Sequence, residues 1–172
     1  MIRKIYMLND FLKEKFNEKI YKVSLDGGFT CPNRDGKVSR GGCIFCSENG
    51  SGDFTATKLK SIHEQIEEQI DLVSKKYKGD KYIAYFQNFT NTYAEVSYLR
   101  KIFEEALSHE KIVGLAIATR PDCLEDDVLE LLAELNKKTF LWVELGLQTV
   151  NDDVAKYFNR AYETQIYKEA SE

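Results

Sequence analysis

The sequence has few prolines and histidines and no long hydrophobic run. The shortage of proline and the absence of a long hydrophobic run each exclude a class of protein. Two prolines and two histidines occur in 172 residues, and two prolines are too few for a disordered proline-rich tail. The N-terminal segment MIRKIYMLNDFLKEKF carries charges throughout and lacks the apolar core of a signal peptide. No apolar run is long enough to span a bilayer. We therefore expect a cytoplasmic protein without membrane contact.

Charge and composition narrow the class further. The net charge of −4 and the pI near 5.4 give no general basic field for nucleic acid. Hydrophobic residues make up 43% of the chain and charged residues 30%, an ordinary globular balance. We expect residues 1–172 to form a single domain with a buried core.

Three of the four cysteines lie in one glycine-rich segment. Cys31, Cys43 and Cys46 follow the spacing C-x11-C-x2-C. In the cytoplasm, clustered cysteines bind metals or catalyse more often than they form disulfides. Three thiolates on one loop can hold three corners of a cubic iron–sulfur cluster, which leaves the fourth iron open to a substrate or cofactor. The spacing therefore predicts a redox enzyme.

A zinc site is the alternative. Zinc prefers four tetrahedral ligands, commonly two C-x2-C pairs or one pair with histidines. Only one C-x2-C pair is present, and Cys123 would have to complete an all-cysteine site. A cysteine in that place is more typical of a small packed side chain at the start of a helix. We expect His63 and His109 to face solvent and assign them no role.

Strands and helices alternate along the chain after an N-terminal helix around Leu8–Phe16. The order predicts an α/β fold with parallel strands and right-handed crossovers. Strands recur about every thirty residues, near the pace of a β/α barrel, so we predict a partial, TIM-like barrel of about four strands. The predicted strands are Tyr21–Leu25, Lys81–Phe86, Ile112–Ala118 and Phe140–Leu147. The predicted helices are Ser61–Tyr77, Tyr98–Leu107, Asp126–Leu135 and Asp152–Tyr157.

Polar segments follow each predicted strand. In barrels of this kind the chemistry lies at the C-terminal ends of the strands. We therefore expect one site built from Thr30–Cys46, Gln87–Tyr93, Thr119–Cys123 and Gln148–Thr149. Glu144 lies inside an apolar strand, and a buried carboxylate needs a partner. It is either a functional group inside the barrel or the partner of a lysine or arginine.

Further motifs accompany the cysteine loop, where Phe45 precedes Cys46. They are Tyr85–Tyr93 (YFQNFTNTY), Ala118–Leu124 (ATRPDCL), Val143–Thr149 (VELGLQT) and the pair Asn159-Arg160. Together the motifs resemble the radical S-adenosylmethionine superfamily, most closely its YhcC/YtqA-like branch and more distantly the radical domain of the Elongator catalytic subunit. The superfamily's usual loop is C-x3-C-x2-C, and the longer first gap here suits this branch. Barrels of this superfamily have about six strands, so the resemblance implies that residues 1–172 form a truncated radical core comprising strands one to four.

The resemblance implies roles for particular residues. Cys31, Cys43 and Cys46 correspond to the ligands of a 4Fe–4S cluster, whose open iron binds S-adenosylmethionine. Family positions that contact this cofactor correspond to Gln87, Thr90, Asn91, Thr92, Thr119, Arg120, Gln148 and Arg160. Besides the smaller number of strands, the chain departs from the family where Ala161-Tyr162 replaces the common Gly-His. The stretch 87–92 is polar but lacks the glycines that are usual there.

The resemblance also implies an activity and its partners. Reductive cleavage of S-adenosylmethionine would give a 5′-deoxyadenosyl radical that takes a hydrogen atom from the substrate. The Elongator-like motifs imply a tRNA base, a wobble uridine, as that substrate, and a flavodoxin or ferredoxin-like protein as electron donor. A non-catalytic zinc-binding module and an inactive half-barrel fragment are the alternatives.

Overall fold

A computed structural model describes residues 5–48 and 59–172 of the chain. Within these residues, four strands and six helices are present. The strands are β1 (Tyr21–Leu25), β2 (Tyr82–Phe86), β3 (Ile112–Thr119) and β4 (Phe140–Leu145). The helices are α1 (Leu8–Phe16), α2 (Ile62–Ser74), α3 (Val96–Leu107), α4 (Asp126–Lys138), α5 (Asp152–Tyr157) and α6 (Thr164–Glu169).

The four strands form one parallel sheet in the order β1-β2-β3-β4. Each strand leads through a helical connection to its neighbour, which is the arrangement of a partial β/α barrel. The prediction of an α/β fold with four parallel strands is confirmed. All C-terminal strand ends lie at the same edge of the sheet, so the polar segments that follow them are brought together.

The two faces of the sheet bury different residues. The outer face packs against α2, α3 and α4, and Leu25, Phe86 and Leu115 are fully buried there. The inner face, which carries Lys22, Tyr85, Ala116, Trp142 and Glu144, is covered at its N-terminal end by α1. There Phe11 and Phe16 lie against Phe140, with ring centroids 6.1 and 5.6 Å apart.

Helix boundaries differ by a few residues from the sequence prediction. Helix α2 begins at Ile62, one residue after the predicted start, because Ser61 caps the helix and forms a reciprocal capping box with Glu64. It ends at Ser74, whereas the prediction ran to Tyr77. Helix α4 continues to Lys138, beyond the predicted Leu135, and its last turn carries lysines that favour a helix C-terminus. Helix α6 was not predicted.

Strand β4 corrects two expectations. It ends at Leu145: the Gly146 N–H makes the last bond to β3, at the Thr119 carbonyl (3.0 Å), and Gln148 then turns the chain with a left-handed φ of 59°. All six residues of β4 are half-buried and not fully buried. Among the described residues, β4 pairs with β3 alone and is an edge of the sheet, so one side of the strand lacks a neighbour.

The two histidines have different environments. His63 is exposed, as expected. His109 is only 5% exposed, so the expectation that it faces solvent was wrong. Its Nδ1 accepts the backbone N–H of Lys111 (3.2 Å), so its Nε2 carries the proton toward Glu67 Oε1 at 2.8 Å. His109 thus fastens the turn before β3 to α2. In the described part of the chain, no helix combines the length and apolar character needed to cross a membrane.

Candidate metal and cofactor site

A cavity of about 280 Å³ lies at the C-terminal ends of the strands. The cysteine loop forms one wall, and the segments after β2, β3 and β4 form the others. Most of the residues predicted to bind metal or cofactor line it: Cys31, Cys43, Cys46, Gln87, Thr90, Thr119, Arg120, Gln148 and Arg160. The structure therefore brings the residues of four separate sequence motifs to one place.

Asn91 and Thr92 do not line this cavity. The Asn91 amide donates to the Ala118 carbonyl at 2.7 Å. The Thr92 hydroxyl lies against the Thr119 hydroxyl and donates to the Cys123 carbonyl at 2.6 Å. Both side chains connect the segment after β2 to the end of β3. Their hydrogen bonds therefore support the cavity wall without lining the cavity.

Turns that require glycine shape the cysteine loop. Gly41 and Gly42 have φ values of 82° and 78°, a region that residues with a Cβ rarely adopt. A Cβ on Gly42 would lie 2.8 Å from Arg34 Nε. Removing that space would displace Arg34, whose guanidinium donates to the backbone carbonyls of Cys46 and Ser47. Arg34 was not identified from the sequence.

Asn33, within the cysteine loop, and Asn159, after α5, join the loop to the end of α5. Asn33 is fully buried, and its amide donates to the Asn159 carbonyl at 2.6 Å. The Asn159 amide in turn donates to the Gly42 carbonyl at 2.9 Å. Cys43 Sγ lies 3.5 Å from both the Asn33 amide nitrogen and the Asn159 carbonyl oxygen. The segment after α5 therefore positions a predicted metal ligand, a role that the sequence indicated only through the Asn159-Arg160 pair.

The thiols of Cys43 and Cys46 interact directly. Their hydrogen bond raises the pKa of Cys43, and burial acts in the same direction. The same hydrogen bond lowers the pKa of Cys46 to about 7 against the effect of burial, and the positive charge of Arg34 adds to the lowering. The thiolate is the form that binds metals. The electrostatics of the loop therefore favour a ligating form of Cys46.

Cys123 does not line the cavity that contains the loop cysteines. It lines a second cavity, of about 450 Å³. Burial raises the pKa of its thiol to about 12, as expected for an inert packed cysteine.

Across residues 5–48 and 59–172, no three or more His, Cys, Asp or Glu side chains are grouped closely enough for a metal ion. A cubic cluster, unlike a single zinc ion, spaces its thiolates around several irons.

Polar groups with unused hydrogen-bonding capacity face the cavity. Thr90 is 1% exposed, and its hydroxyl has no hydrogen-bond partner within the described residues. An unpartnered buried hydroxyl is costly unless a bound molecule satisfies it. On the opposite wall, a Cβ at Gly146 would lie 2.6 Å from Gln148 Nε2. Glycine therefore allows the Gln148 amide to lie over the end of β4.

Arg160 supports the site from inside the protein. It is 1% exposed, and all five of its N–H donors are used by neighbouring groups. The acceptors are the carbonyls of Leu147, Thr149 and Tyr162, the Asp152 carboxylate and the Thr164 hydroxyl, at 2.6–3.1 Å. A direct contact between Arg160 and a cofactor would require one of these bonds to break. Its geometry is that of a residue that organises the loops after β4.

Arg120 and Tyr162 complete the wall. Arg120 makes a two-point contact with the Asp122 carboxylate, at 2.8 and 2.6 Å, and donates to the Arg160 carbonyl at 3.0 Å. The guanidinium carbons of Arg120 and Arg160 lie 4.8 and 4.5 Å from the Tyr162 ring centroid. Burial raises the pKa of Tyr162 to about 12. Its neutral hydroxyl therefore donates to the Gly146 carbonyl and lies 3.2 Å from the Gln148 side-chain oxygen. From the sequence, Tyr162 is evident only as a departure from the family, and its place in this wall depends on the fold.

Glu144 lies on the inner face of the sheet, where this face meets the cavity. Lys22 Nζ is 2.5 Å from one carboxylate oxygen, and the Tyr85 hydroxyl donates to the other at 2.7 Å. Burial, together with the Glu144 charge, raises the pKa of Tyr85, so its proton remains available for this bond. Glu144 also lines the cavity. Of the two sequence-based alternatives, the pairing with a lysine is therefore confirmed, and the carboxylate also faces the inside of the barrel.

Comparison with known proteins agrees with this geometry. A sequence profile described as the Radical SAM superfamily matches residues 31–172. The chain is 52% identical to YtqA of Bacillus subtilis over 97% of its own length and 52% of that protein. It is 41% identical to YhcC of Escherichia coli K12 over 98% of its own length and 53% of that protein. The chain thus spans about half the length of these relatives.

A solved structure shares the fold. The Elp3 protein of the archaeon Methanocaldococcus infernus, lacking its N-terminus, superimposes with a TM-score of 0.56. The match covers 88% of this chain and 34% of Elp3, at 17% sequence identity. At that identity the likeness concerns the fold alone, and it agrees with the half-barrel arrangement of the strands.

Proposed function

Because the chain belongs to the radical SAM superfamily, we propose that it binds a 4Fe–4S cluster and S-adenosylmethionine and cleaves the latter reductively. One observation carries this proposal. The three thiols of the C-x11-C-x2-C loop face the same cavity as the polar strand-end residues Gln87, Thr90 and Gln148. Thiols and polar side chains that converge in one cleft are the usual signature of a cofactor site.

The residues of the cavity fit this pair of groups. Cys31, Cys43 and Cys46 would hold three irons, which leaves the fourth for the cofactor. The unpartnered Thr90 hydroxyl supports a polar ligand beside the cysteine loop. When bound, the cluster and S-adenosylmethionine together supply the one-electron cleavage that gives a 5′-deoxyadenosyl radical.

The remaining residues of the chain position and shield these groups. Arg34 and Asn159 hold the cysteine loop through the backbone carbonyls of Cys46 and Gly42, respectively. Tyr162 fixes the end of β4, where the Gln148 amide faces the cavity. Arg160 holds the loops after β4 in place without using its donors on a ligand. Such second-layer contacts orient ligands and limit the access of water.

The substrate and partners belong to the same proposal. We take the substrate to be a tRNA base, a wobble uridine, because the motif set resembles that of the Elongator radical domain. An electron donor of the flavodoxin or ferredoxin type would reduce the cluster. Four free cysteines support a cytoplasmic location, where thiols remain reduced.

Anaerobic reconstitution tests the function. The purified chain is incubated with iron, sulfide and reductant, and its visible absorption and its iron and sulfide contents are measured. We expect a brown protein with about four irons per chain, which forms 5′-deoxyadenosine and methionine when dithionite and S-adenosylmethionine are added. A colourless protein that retains one zinc ion and forms no 5′-deoxyadenosine would contradict the proposal and favour the zinc-binding module.

A further inference from the structure

The inner face of the sheet carries a charged cluster, formed by Lys22, Tyr85, Trp142 and Glu144, that the proposed function does not use. Lys22 Nζ lies 2.5 Å from Glu144 Oε1 and stands over two aromatic rings, 3.9 Å from the Tyr85 centroid and 4.3 Å from that of Trp142. The Tyr85 hydroxyl donates to Glu144 Oε2 at 2.7 Å. Four side chains from three strands therefore fix one ion pair in a single orientation.

The ion pair joins the two outer strands of the sheet. Lys22 belongs to β1 and Glu144 to β4, and three strand spacings separate them, roughly 14 Å in a flat sheet. The contact therefore needs both long side chains and the curvature of the half-barrel. A pair held this way costs desolvation energy that a surface pair avoids, which makes a simple stabilising role an incomplete account of the cluster.

The pair retains hydrogen-bonding capacity. A carboxylate accepts about four hydrogen bonds and an ammonium donates three, and the protein uses one on each carboxylate oxygen and one on Lys22. The side chains of Lys22 and Glu144 are 25% and 30% exposed. Glu144 also lines the cavity that contains the three cysteines. A molecule in this cavity can therefore contact the Glu144 carboxylate, and the partly exposed Lys22 ammonium lies directly beside that carboxylate.

We propose that Glu144 and Lys22 form a substrate subsite that recognises a cyclic amide, in which an N–H donor adjoins a carbonyl acceptor. The carboxylate accepts the ring N–H, and the ammonium donates to the neighbouring carbonyl oxygen. Both contacts are charge-assisted and therefore stronger than neutral hydrogen bonds. The subsite rests on the proposed function, because it assigns the substrate's position in the same cavity. A pyrimidine with an intact N3–H and its adjacent carbonyl has the required edge.

The protein contains its own probe for this subsite. Trp142 is the single tryptophan of the chain, and Lys22 lies over its ring. Excitation at the red edge of indole absorption, where uridine is transparent, reports on this ring alone. We would titrate the full chain with uridine and with 3-methyluridine, in which a methyl group replaces the N–H. Calorimetry on the cluster-loaded chain gives the same affinities independently.

Matched variants complete the experiment. The double substitution Lys22→Met with Glu144→Leu removes both charges together and leaves no unpaired buried ion. The control, Lys60→Met with Glu68→Leu, removes an exposed ion pair (2.8 Å) on the outer side of the molecule. We expect uridine to change the Trp142 emission in the wild type and in the control. Blocking the N–H or removing the inner-face pair should weaken binding about tenfold or more.

Three outcomes would overturn the subsite. They are equal affinity for uridine and 3-methyluridine, full uridine affinity in the Lys22/Glu144 double variant, and no uridine binding to the wild type. The comparison of the two nucleosides uses the wild-type chain alone, so it holds even if the double variant fails to fold. Iron content and 5′-deoxyadenosine formation in the same preparations report separately on the proposed function. A chain that loads its cluster but ignores uridine contradicts the subsite alone.

Discussion

The guanidinium of Arg160 shows how a single buried residue can determine the shape of a site without touching its ligand. Its donors satisfy carbonyls and side chains of the segments on both sides of α5. Removing it takes a donor from several part-buried carbonyls, and each unmade bond carries a desolvation cost. Arg160 therefore acts on the cofactor site through the loop that carries Gln148.

We predict that Arg160→Met lowers the free energy of unfolding by about 2–4 kcal/mol. Urea denaturation followed by circular dichroism measures this change. Gln148→Ala is the matched comparison, because its side chain faces the cavity. That variant should keep its stability and bind S-adenosylmethionine more weakly. Full stability in Arg160→Met, with weaker cofactor binding alone, would show instead that the arginine contacts the cofactor directly.

The four cysteines give a second prediction at this scale. Cys31→Ala, Cys43→Ala and Cys46→Ala should each abolish iron loading, because the remaining two loop thiols cannot hold the cluster. Cys123→Ala should load iron normally, since its thiol lines a different cavity. Iron and sulfide analysis after anaerobic reconstitution measures both. Loss of iron in Cys123→Ala would favour a four-cysteine site.

Among the structural elements, the contact between the cysteine loop and the turn after α5 is the one that holds the site together. Asn159 has a φ of 58°, a conformation that asparagine tolerates better than most residues. Its side chain and carbonyl both bond to the cysteine loop, and the Ile44 N–H bonds to the neighbouring Phe158 carbonyl at 3.2 Å. The turn therefore fixes the position of Cys43 relative to the strand ends.

We predict that Asn159→Ala folds but retains its cluster less well. The substitution removes the hydrogen bond from the Asn159 side-chain amide to the Gly42 carbonyl, and it strains the left-handed backbone at this position. We therefore expect the cysteine loop to open more often. The rate of iron release to a chelator under anaerobic conditions measures the effect, and we expect it to rise several-fold. Asn136→Ala, an exposed position on α4, should release iron at the wild-type rate. Equal rates for both variants would show that the turn does not support the cluster.

At the scale of the whole molecule, the main exposed apolar feature is the edge strand β4. Its half-buried residues border an apolar groove of about 330 Å³ with Leu8 and Phe11 of α1. An exposed apolar edge can pair with another chain. Lys15 Nζ lies 5.1 Å from the centroid of the Phe140 ring, so a positive charge covers the N-terminal end of β4.

We expect the chain of residues 1–172 to self-associate through this edge. Sedimentation velocity over a range of concentrations should show reversible oligomers. Phe11→Lys places a charge in the groove and should shift the equilibrium toward the monomer. Leu72→Lys changes a similarly exposed apolar residue on α2, which lies on the outer face, and should have no such effect. A monomer at all concentrations in the wild type would contradict the role of β4.

Local patterns in the sequence determined the kind of fold and the kind of site. The period of the apolar residues distinguishes strand from helix, so all four strands and the first five helices were predicted to within a few residues. The spacing of Cys31, Cys43 and Cys46 indicates a cluster because ligand geometry within one loop depends on short separations. Strand ends of a parallel sheet meet at one edge, and this brought most of the candidate residues together.

Only the tertiary structure decided which side chains meet across long separations. Lys22 and Glu144 are 122 positions apart, and Asn33 and Asn159 are 126 apart. Their contacts depend on the curvature of the sheet and on the path of the chain after α5, which no local pattern encodes. The burial of Arg160 follows from the same path. Residue type and spacing therefore determined the chemistry that this chain can offer, and three-dimensional packing decided which residues face the ligand and which support them.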